Sequence, residues 1–252
     1  GCLRHGGNPG DEVAIVRCPA ARGPLRRGRT AGLIRSVPPP LTSGQTVSVA
    51  LLQLAETRLS EHRPGRQWLR PLMKRAAVAL ILQLRAGELG VYMIRRADRE
   101  GDPWSGQMAF PGGRMEPGDR NGLATARRET GEEIGLHLGS EEPCLGRLSE
   151  LNATRRVLRR GLVITPYVFH LQRSVNFHPN YEVQEVVWVP LEFLLDTDNR
   201  REMTWTRGTL SLRMPCYDYE GRRIWGLSLR MLDELMDLVE GRSPQRPPWR
   251  RF

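Results

Sequence analysis

Eight of the eleven positions from 74 to 84 are apolar, seven of them uninterrupted from Ala76 to Leu82. A strand covered on both faces reads this way, so the run predicts the central strand of a sheet. Gly87 supplies a turn, and 90–96 returns as a second strand in which Val91 and Met93 alternate with Tyr92 and Ile94. A short strand over 107–110 stops at Pro111-Gly112-Gly113. A helix follows over 121–134, with Asp119 near its N-terminus, where negative charge is favoured, and Gly135 as its stop. The pattern continues with strands over 144–151, 163–171 and 183–189, a short helix over 191–195, and a hairpin of 209–214 with 216–219. It closes with a helix over 224–239, whose Leu227, Met231, Leu235 and Leu238 recur every three or four residues. Upstream, Val47, Val49, Leu51, Leu52, Leu54 and Leu59 predict an amphipathic helix over 46–59 that packs outside the main domain.

This order, strands interrupted by one helix and closed by another, is an α/β arrangement with a sheet between helices. The expected organisation is a basic, disordered tail over 1–45, a helical extension over 46–73, one principal domain over 74–241 and a second basic tail over 242–252. No internal repeat with a period of 20–50 residues appears.

The chemistry concentrates on the helix over 121–134. Glu129, Glu132 and Glu133 have the i, i+3, i+4 spacing that places them on one side of a helix. Like charges so placed cost a helix about 0.2–0.5 kcal/mol per pair. A divalent cation reverses the sign, since hard ions such as Mg2+ take oxygen ligands and bridge carboxylates to substrate phosphates.

Around these residues runs a longer pattern. Gly112-Gly113-Arg114-Met115-Glu116-Pro117-Gly118-Asp119 is followed, after eight residues, by Arg128-Glu129-Thr130-Gly131-Glu132-Glu133-Ile134-Gly135-Leu136. The block resembles the signature of the Nudix hydrolases, which split a nucleoside diphosphate linked to another group. Gly113 matches the opening glycine, and Arg128, Glu129, Glu132, Glu133, Gly135 and Leu136 match the second half. Asp119 stands where the signature has a glutamate, Thr130 where it has an apolar residue, and the gap from Asp119 to Arg128 holds eight residues rather than seven. The aspartate and the extra residue resemble the coenzyme A diphosphatase-like branch. So do Gln107-Met108-Ala109-Phe110-Pro111-Gly112-Gly113, Glu182-Val183 ahead of Trp188-Val189-Pro190-Leu191, and Ile224-Trp225-Gly226-Leu227-Ser228, a likeness running from residue 74 to 241.

The resemblance implies a Nudix-type α/β/α sandwich with a mixed sheet, and metal-dependent hydrolysis of a diphosphate bridge, with coenzyme A or a related ester as the leading substrate. The alternatives are the same chemistry on a dinucleotide, nucleotide sugar or capped RNA, and a non-catalytic nucleotide- or RNA-binding module, which the presence of all three glutamates disfavours. It implies Mg2+ or Mn2+ held by Glu129 and Glu133, a second ion or an oriented water at Glu132, and a backbone carbonyl near Gly113 as a further ligand. Arg128 would brace a carboxylate rather than touch substrate, with Asp119 as its partner. Gly112 and Gly113, lacking a Cβ, let the loop turn and bring its backbone to metal or phosphate. Glu182 and Glu132 both stand open as general base. Trp104 is a candidate to stack on a base, and Arg155, Arg156, Arg159 and Arg160, in a loop over 154–161, are candidates for a further phosphate.

Charge alters this picture only at the ends. The chain carries a net charge of +10, of which residues 1–45 supply +5 and residues 242–252 supply +4. Basic tails can meet phosphate backbones. Arg-, Pro- and Gly-rich ends nevertheless predict solvated, disordered chain, so nucleic acid is disfavoured as a partner and a small nucleoside diphosphate is expected, with a homodimer left open. Cys2, Cys18, Cys144 and Cys216 lie far apart, without a Cys-x-x-Cys pair, which excludes a zinc or disulfide framework and predicts a reducing, cytoplasmic setting. The Arg-rich, acid-poor first 45 residues leave a transit peptide and an organellar location as the alternative. An apolar run of seven is far short of the roughly 20 residues a membrane helix needs.

Overall fold

The computed structural model describes residues 43–100, 104–153, 161–207 and 209–242. The first basic tail up to 42, the arginine loop 154–160 and the second tail from 243 lie outside these residues. In chain order the elements are α1 (Ser43–Glu61), β1 (Lys74–Arg85), β2 (Glu88–Arg96), β3 (Met108–Ala109), β4 (Gly112–Arg114), α2 (Gly122–Ile134), β5 (Cys144–Arg147) and β6 (Leu151–Asn152). They continue with β7 (Leu162–His170), β8 (Val183–Pro190), α3 (Leu191–Leu195), β9 (Arg200–Arg207), β10 (Leu210–Tyr219), β11 (Arg222–Trp225) and α4 (Gly226–Val239).

The apolar run forms β1, and its two faces divide the core. Ala77, Ala79 and Ile81 pack with Tyr92, Ile94 and Phe169 against Ala126 and Ile134 of α2. Leu80 and Leu82 point the other way, toward Leu52, Ala55 and Leu59 of α1, Leu191 and Leu194 of α3, and Leu229, Leu232 and Leu235 of α4. Alternation along a strand with both faces covered is what an α/β/α sandwich requires, and the expected fold class holds.

The sheet is mixed and forks along one edge of β1. That strand runs parallel to β7 on one side. On the other, 81–85 pair antiparallel with β2, while 76–78 pair antiparallel with β4. Past the fork β2 pairs with β3 and β8, and the Ala79 N–H donates to the Pro111 carbonyl at 2.8 Å, filling the gap between its two partners. The fork therefore seats the double-glycine segment against the middle of the central strand.

Several elements differ from the sequence reading. The glycines expected only to end a strand form β4, because β1 offers them a free edge. The strand expected over 144–151 breaks into β5 and β6, since between them the Glu150 N–H turns away to the Gly65 carbonyl. The hairpin expected from 209–214 and 216–219 is instead one strand, β10, paired with β9 and β11. Pro215 lies opposite Glu202 of β9 but before the stretch paired with β11, which starts at Cys216, so at most one side lacks its N–H. β9 escaped notice because Arg201, Glu202 and Thr204 are exposed and leave no apolar run. Ile224 and Trp225 end β11, and the closing helix begins two residues later than expected, at Gly226. α1 does not pack apart: its buried stripe is Ser48, Leu52, Ala55 and Leu59, inside the core shared with β1 and α4, while Val47 and Leu54 are exposed. Among the described residues no helix is long and apolar enough to cross a membrane.

The helix bearing the glutamates is capped at its start by Asn121, whose side-chain oxygen accepts from the Ala124 N–H at 2.9 Å. Replacing a side-chain cap by alanine typically costs about 1 kcal/mol. Asn121→Ala should lower the unfolding free energy by that amount, seen as a lower urea midpoint with the m-value unchanged, and Asn121→Asp should restore it. An unshifted midpoint would show that the cap contributes nothing to α2.

Candidate functional site

Glu129 and Glu133 stand one turn apart on α2, on the flank that faces β4. Glu133 is buried, and its Oε2 accepts from the Gly112 N–H at 2.8 Å. At Gly112 φ is +152°, and a Cβ there would fall 2.6 Å from Val78 Cα. Only glycine lies this close to β1 while aiming its N–H at the helix. A Cβ on Gly113 would fall into the Glu129 carboxylate, 2.6 Å from Oε2. The space left by a missing side chain is thus occupied by a catalytic-type acid, and both carboxylates converge on the backbone of two consecutive glycines.

Burial makes both acids reluctant to ionise. It pushes Glu133 up to about 7, against the Gly112 N–H and with a further upward push from Glu129. Burial raises Glu129 as well, opposed by Arg128, with Glu132 and Glu116 adding repulsion. Two desolvated carboxylates over one glycine backbone form a site that a divalent cation would complete, because the cation offsets both the desolvation and the mutual repulsion. Mg2+ binds through one or two carboxylates and fills its remaining positions with water and phosphate oxygens. Among the described residues no three Asp, Glu, His or Cys side chains enclose a position for an ion, and the carboxylates that meet the double-glycine backbone are those of Glu129 and Glu133.

Arg128 organises the neighbouring acids. Its Nε and Nη2 donate to the two oxygens of Asp119 at 3.1 and 3.0 Å, and Nη2 also reaches the Arg114 carbonyl at 3.1 Å and Glu129 Oε1 at 3.0 Å. Nη1 donates to Glu132 Oε2 at 2.9 Å. These bonds hold Asp119 down to about 2, and its carboxylate further accepts from the Glu116 N–H and the Thr125 hydroxyl. Arg128 therefore braces the loop to the helix through Asp119, the partner expected for it. Thr130, the departure from the apolar position of the signature, is fully buried and donates to the Ala126 carbonyl at 2.7 Å, which satisfies its hydroxyl within the helix.

The other expected residues take distinct places. The Glu132 side chain is 55% exposed and turned to Arg128. Glu182 lies just before β8, tied to the end of β2 by the bond from the Ala97 N–H to its carbonyl, and adds to the repulsion felt by Glu133. Its carboxylate pairs with Arg99 at 3.3 Å. Trp104 sits on the turn before β3, where its carbonyl accepts from the Gln107 N–H. The sequence reading passed over two charged neighbours, Glu116 beside Glu129 and Arg96 beside Glu133. Glu116 was legible as the acid three residues before Asp119, and Arg96 as the arginine of Arg96-Ala97, where the branch signature has Arg-Ser, though neither was placed beside the glutamates. A cleft of about 480 Å3 lined by Arg127, His137, Glu142 and Arg173 borders α2, but includes neither Glu129 nor Glu133 in its walls.

Comparison with known proteins bears on the family. The NUDIX domain model matches residues 73–207. The uncharacterized Nudix hydrolase NudL of Photorhabdus laumondii is 29% identical over 184 residues, covering 73% of this chain and 89% of its own. The peroxisomal coenzyme A diphosphatase NUDT7 of Mus musculus is 30% identical over 172 residues, covering 68% of this chain and 70% of its own. Among solved structures, a NUDIX hydrolase from Alicyclobacillus acidocaldarius superposes with a TM-score of 0.45 at 16% identity, over 67% of this chain and 91% of that one. With the domain model spanning more than half of the chain and the glutamate-bearing helix lying within that span, the protein belongs to the Nudix hydrolase family.

Proposed function

We propose that the protein hydrolyses the diphosphate bridge of a nucleoside diphosphate derivative, with coenzyme A or one of its esters as substrate and Mg2+ or Mn2+ as the required ion. The observation that carries this reading is the convergence of Glu129 and Glu133 on Gly112-Gly113. The substrate class is supported by the likeness to a relative named as a coenzyme A diphosphatase.

Glu129 and Glu133, with a carbonyl of the double-glycine segment, would hold the ion. When bound, such an ion neutralises phosphate charge and lowers the pKa of water toward neutrality. The chain's own residues do the rest. The Gly112 N–H fixes the Glu133 carboxylate, leaving its second oxygen for the ion. Arg128 fixes one oxygen of Glu129 and locks the loop through Asp119, so the acids keep their positions before substrate arrives. Of the two acids open as general base, each is paired with an arginine, Glu132 with Arg128 and Glu182 with Arg99, but Glu132 is turned outward whereas Glu182 stands close enough to Glu133 to add to its repulsion. Glu182 is therefore the residue assigned to take the proton from the attacking water. Cleavage adds the water oxygen to one phosphorus and releases the other as a phosphomonoester, giving an adenosine phosphate and a phosphopantetheine-type product.

Glu133→Gln should lower Mg2+-stimulated hydrolysis of coenzyme A by about a hundredfold or more, measured by mass detection of the two products. Turnover equal to the wild type would remove Glu133 from the metal site. A second prediction concerns the metal-free protein. Because the folded-state value for Glu133, about 7, lies above its ordinary 4.5, the folded form holds an extra proton between these limits. The contribution of Glu133 to stability is then fully present below pH 4.5 and is lost as the pH rises through about 7, by an amount on the order of 3 kcal/mol. Urea titrations across that range should show the decline in wild type, a flatter profile in Glu133→Gln, and partial recovery on adding Mg2+. A profile for wild type that matches the variant would contradict the buried, uncompensated acid.

A further inference from the structure

Tyr181 is 80% exposed, while Tyr92 and Tyr217 are buried at 5% and 6%. An exposed ring is ordinarily free to turn, yet this one is held. The Arg99 guanidinium lies 4.9 Å from its centroid. Arg99 is itself fixed at both ends: its backbone N–H donates to Ser105 Oγ at 2.8 Å, and Nη1 donates to Glu182 Oε1 at 3.3 Å. One face of the ring is covered by a cation, and the high exposure leaves the other open.

The backbone on either side is fixed just as firmly. The Asn180 N–H donates to the Glu133 carbonyl at 2.8 Å, which ties the residue before Tyr181 to the last turn of α2. The residue after it, Glu182, donates its N–H to Asn180 Oδ1 at 2.8 Å and accepts from the Ala97 N–H at 2.8 Å. Tyr181 is thus carried on a short bridge between the helix that bears Glu133 and the end of β2, at the rim of the acidic site. A planar ring on a tied backbone, one face backed by a cation and one residue from Glu182, is the geometry on which a base attached through a ribose to a bound diphosphate can stack. Trp104, the aromatic residue that the sequence offers for this task, is only 39% exposed.

We propose that Tyr181, backed by Arg99, is the platform on which the nucleobase of the substrate stacks, and so determines the preference for a nucleoside at that end of the diphosphate. This rests on the proposed diphosphate chemistry for its kinetic consequence, but the stacking itself is testable without turnover. Arg99 is a positioning residue here, and Tyr181 is the contact.

The test uses the full chain and AMP as probe, with one-dimensional proton NMR. Stacking on a tyrosine shifts the adenine H2 and H8 signals upfield. The shift should be present in wild type and in Tyr181→Phe, and lost in Tyr181→Ala, with AMP binding weakened about tenfold. In the kinetic arm, Tyr181→Ala should raise KM for coenzyme A about tenfold with the loss confined to KM, and Tyr181→Phe should restore it. Absence of an upfield shift in wild type, or an equal shift in Tyr181→Ala, overturns the proposal; so does a fall in kcat at unchanged KM, which would mark Tyr181 as a support for Glu182. Should wild type leave coenzyme A intact while AMP shifts as described, the substrate assignment fails and the stacking platform stands.

Discussion

The site depends on a close approach that only a glycine backbone permits. Glu129 occupies the volume that any side chain at 113 would fill, and Glu133 is held by the N–H of a residue pressed against β1. Arg128 reaches one oxygen of Glu129, and Glu133 receives the neutral Gly112 N–H with Arg96 as a nearby cation, yet burial still raises both acids. Carboxylates are thereby gathered in a poorly solvated place, which costs stability in the metal-free protein and, on the proposed function, would suit a small, hard ion. The fork of the sheet, the capped start of α2 and the bond between Ala79 and Pro111 all maintain that approach.

The departures from the family signature fit the same design. Asp119 is one methylene shorter than the glutamate it replaces, and it lies one residue further from Arg128. It nonetheless receives two donors from Arg128, with the Glu116 N–H and the Thr125 hydroxyl as further partners. Asn121 serves as the cap of α2, while Asp119, two residues earlier, turns toward Arg128. Thr130 meets its own need through the Ala126 carbonyl, so a polar side chain is tolerated at a position otherwise apolar.

Much of the fold is legible in the sequence where burial is two-sided or periodic. β1 announces itself as an apolar run, and α4 by its repeating leucines. What stays hidden follows from physics that a single strand of letters does not carry. β4 exists because β2 diverges from β1 and leaves an edge for Gly112-Gly113. β9 is solvated and shows no apolar run. α1 buries Ser48 and Ala55 along with Leu52 and Leu59, so counting large apolar residues alone picks the wrong stripe. At the site, the spacing of Glu129 and Glu133 points to a shared ligand, but it treats Glu132 as their equal. The difference arises from Arg128, which holds Glu132 at the surface, and from Gly112, which selects Glu133.

The central claim is that Glu129 and Glu133 hold a divalent cation against the Gly112-Gly113 backbone. A crystal soaked with Mn2+ and measured at the manganese absorption edge tests it directly. The account predicts an anomalous peak within bonding distance of both carboxylates and of a backbone carbonyl of that loop. A well-ordered crystal that shows Mn2+ elsewhere, with these two acids unoccupied, would contradict it.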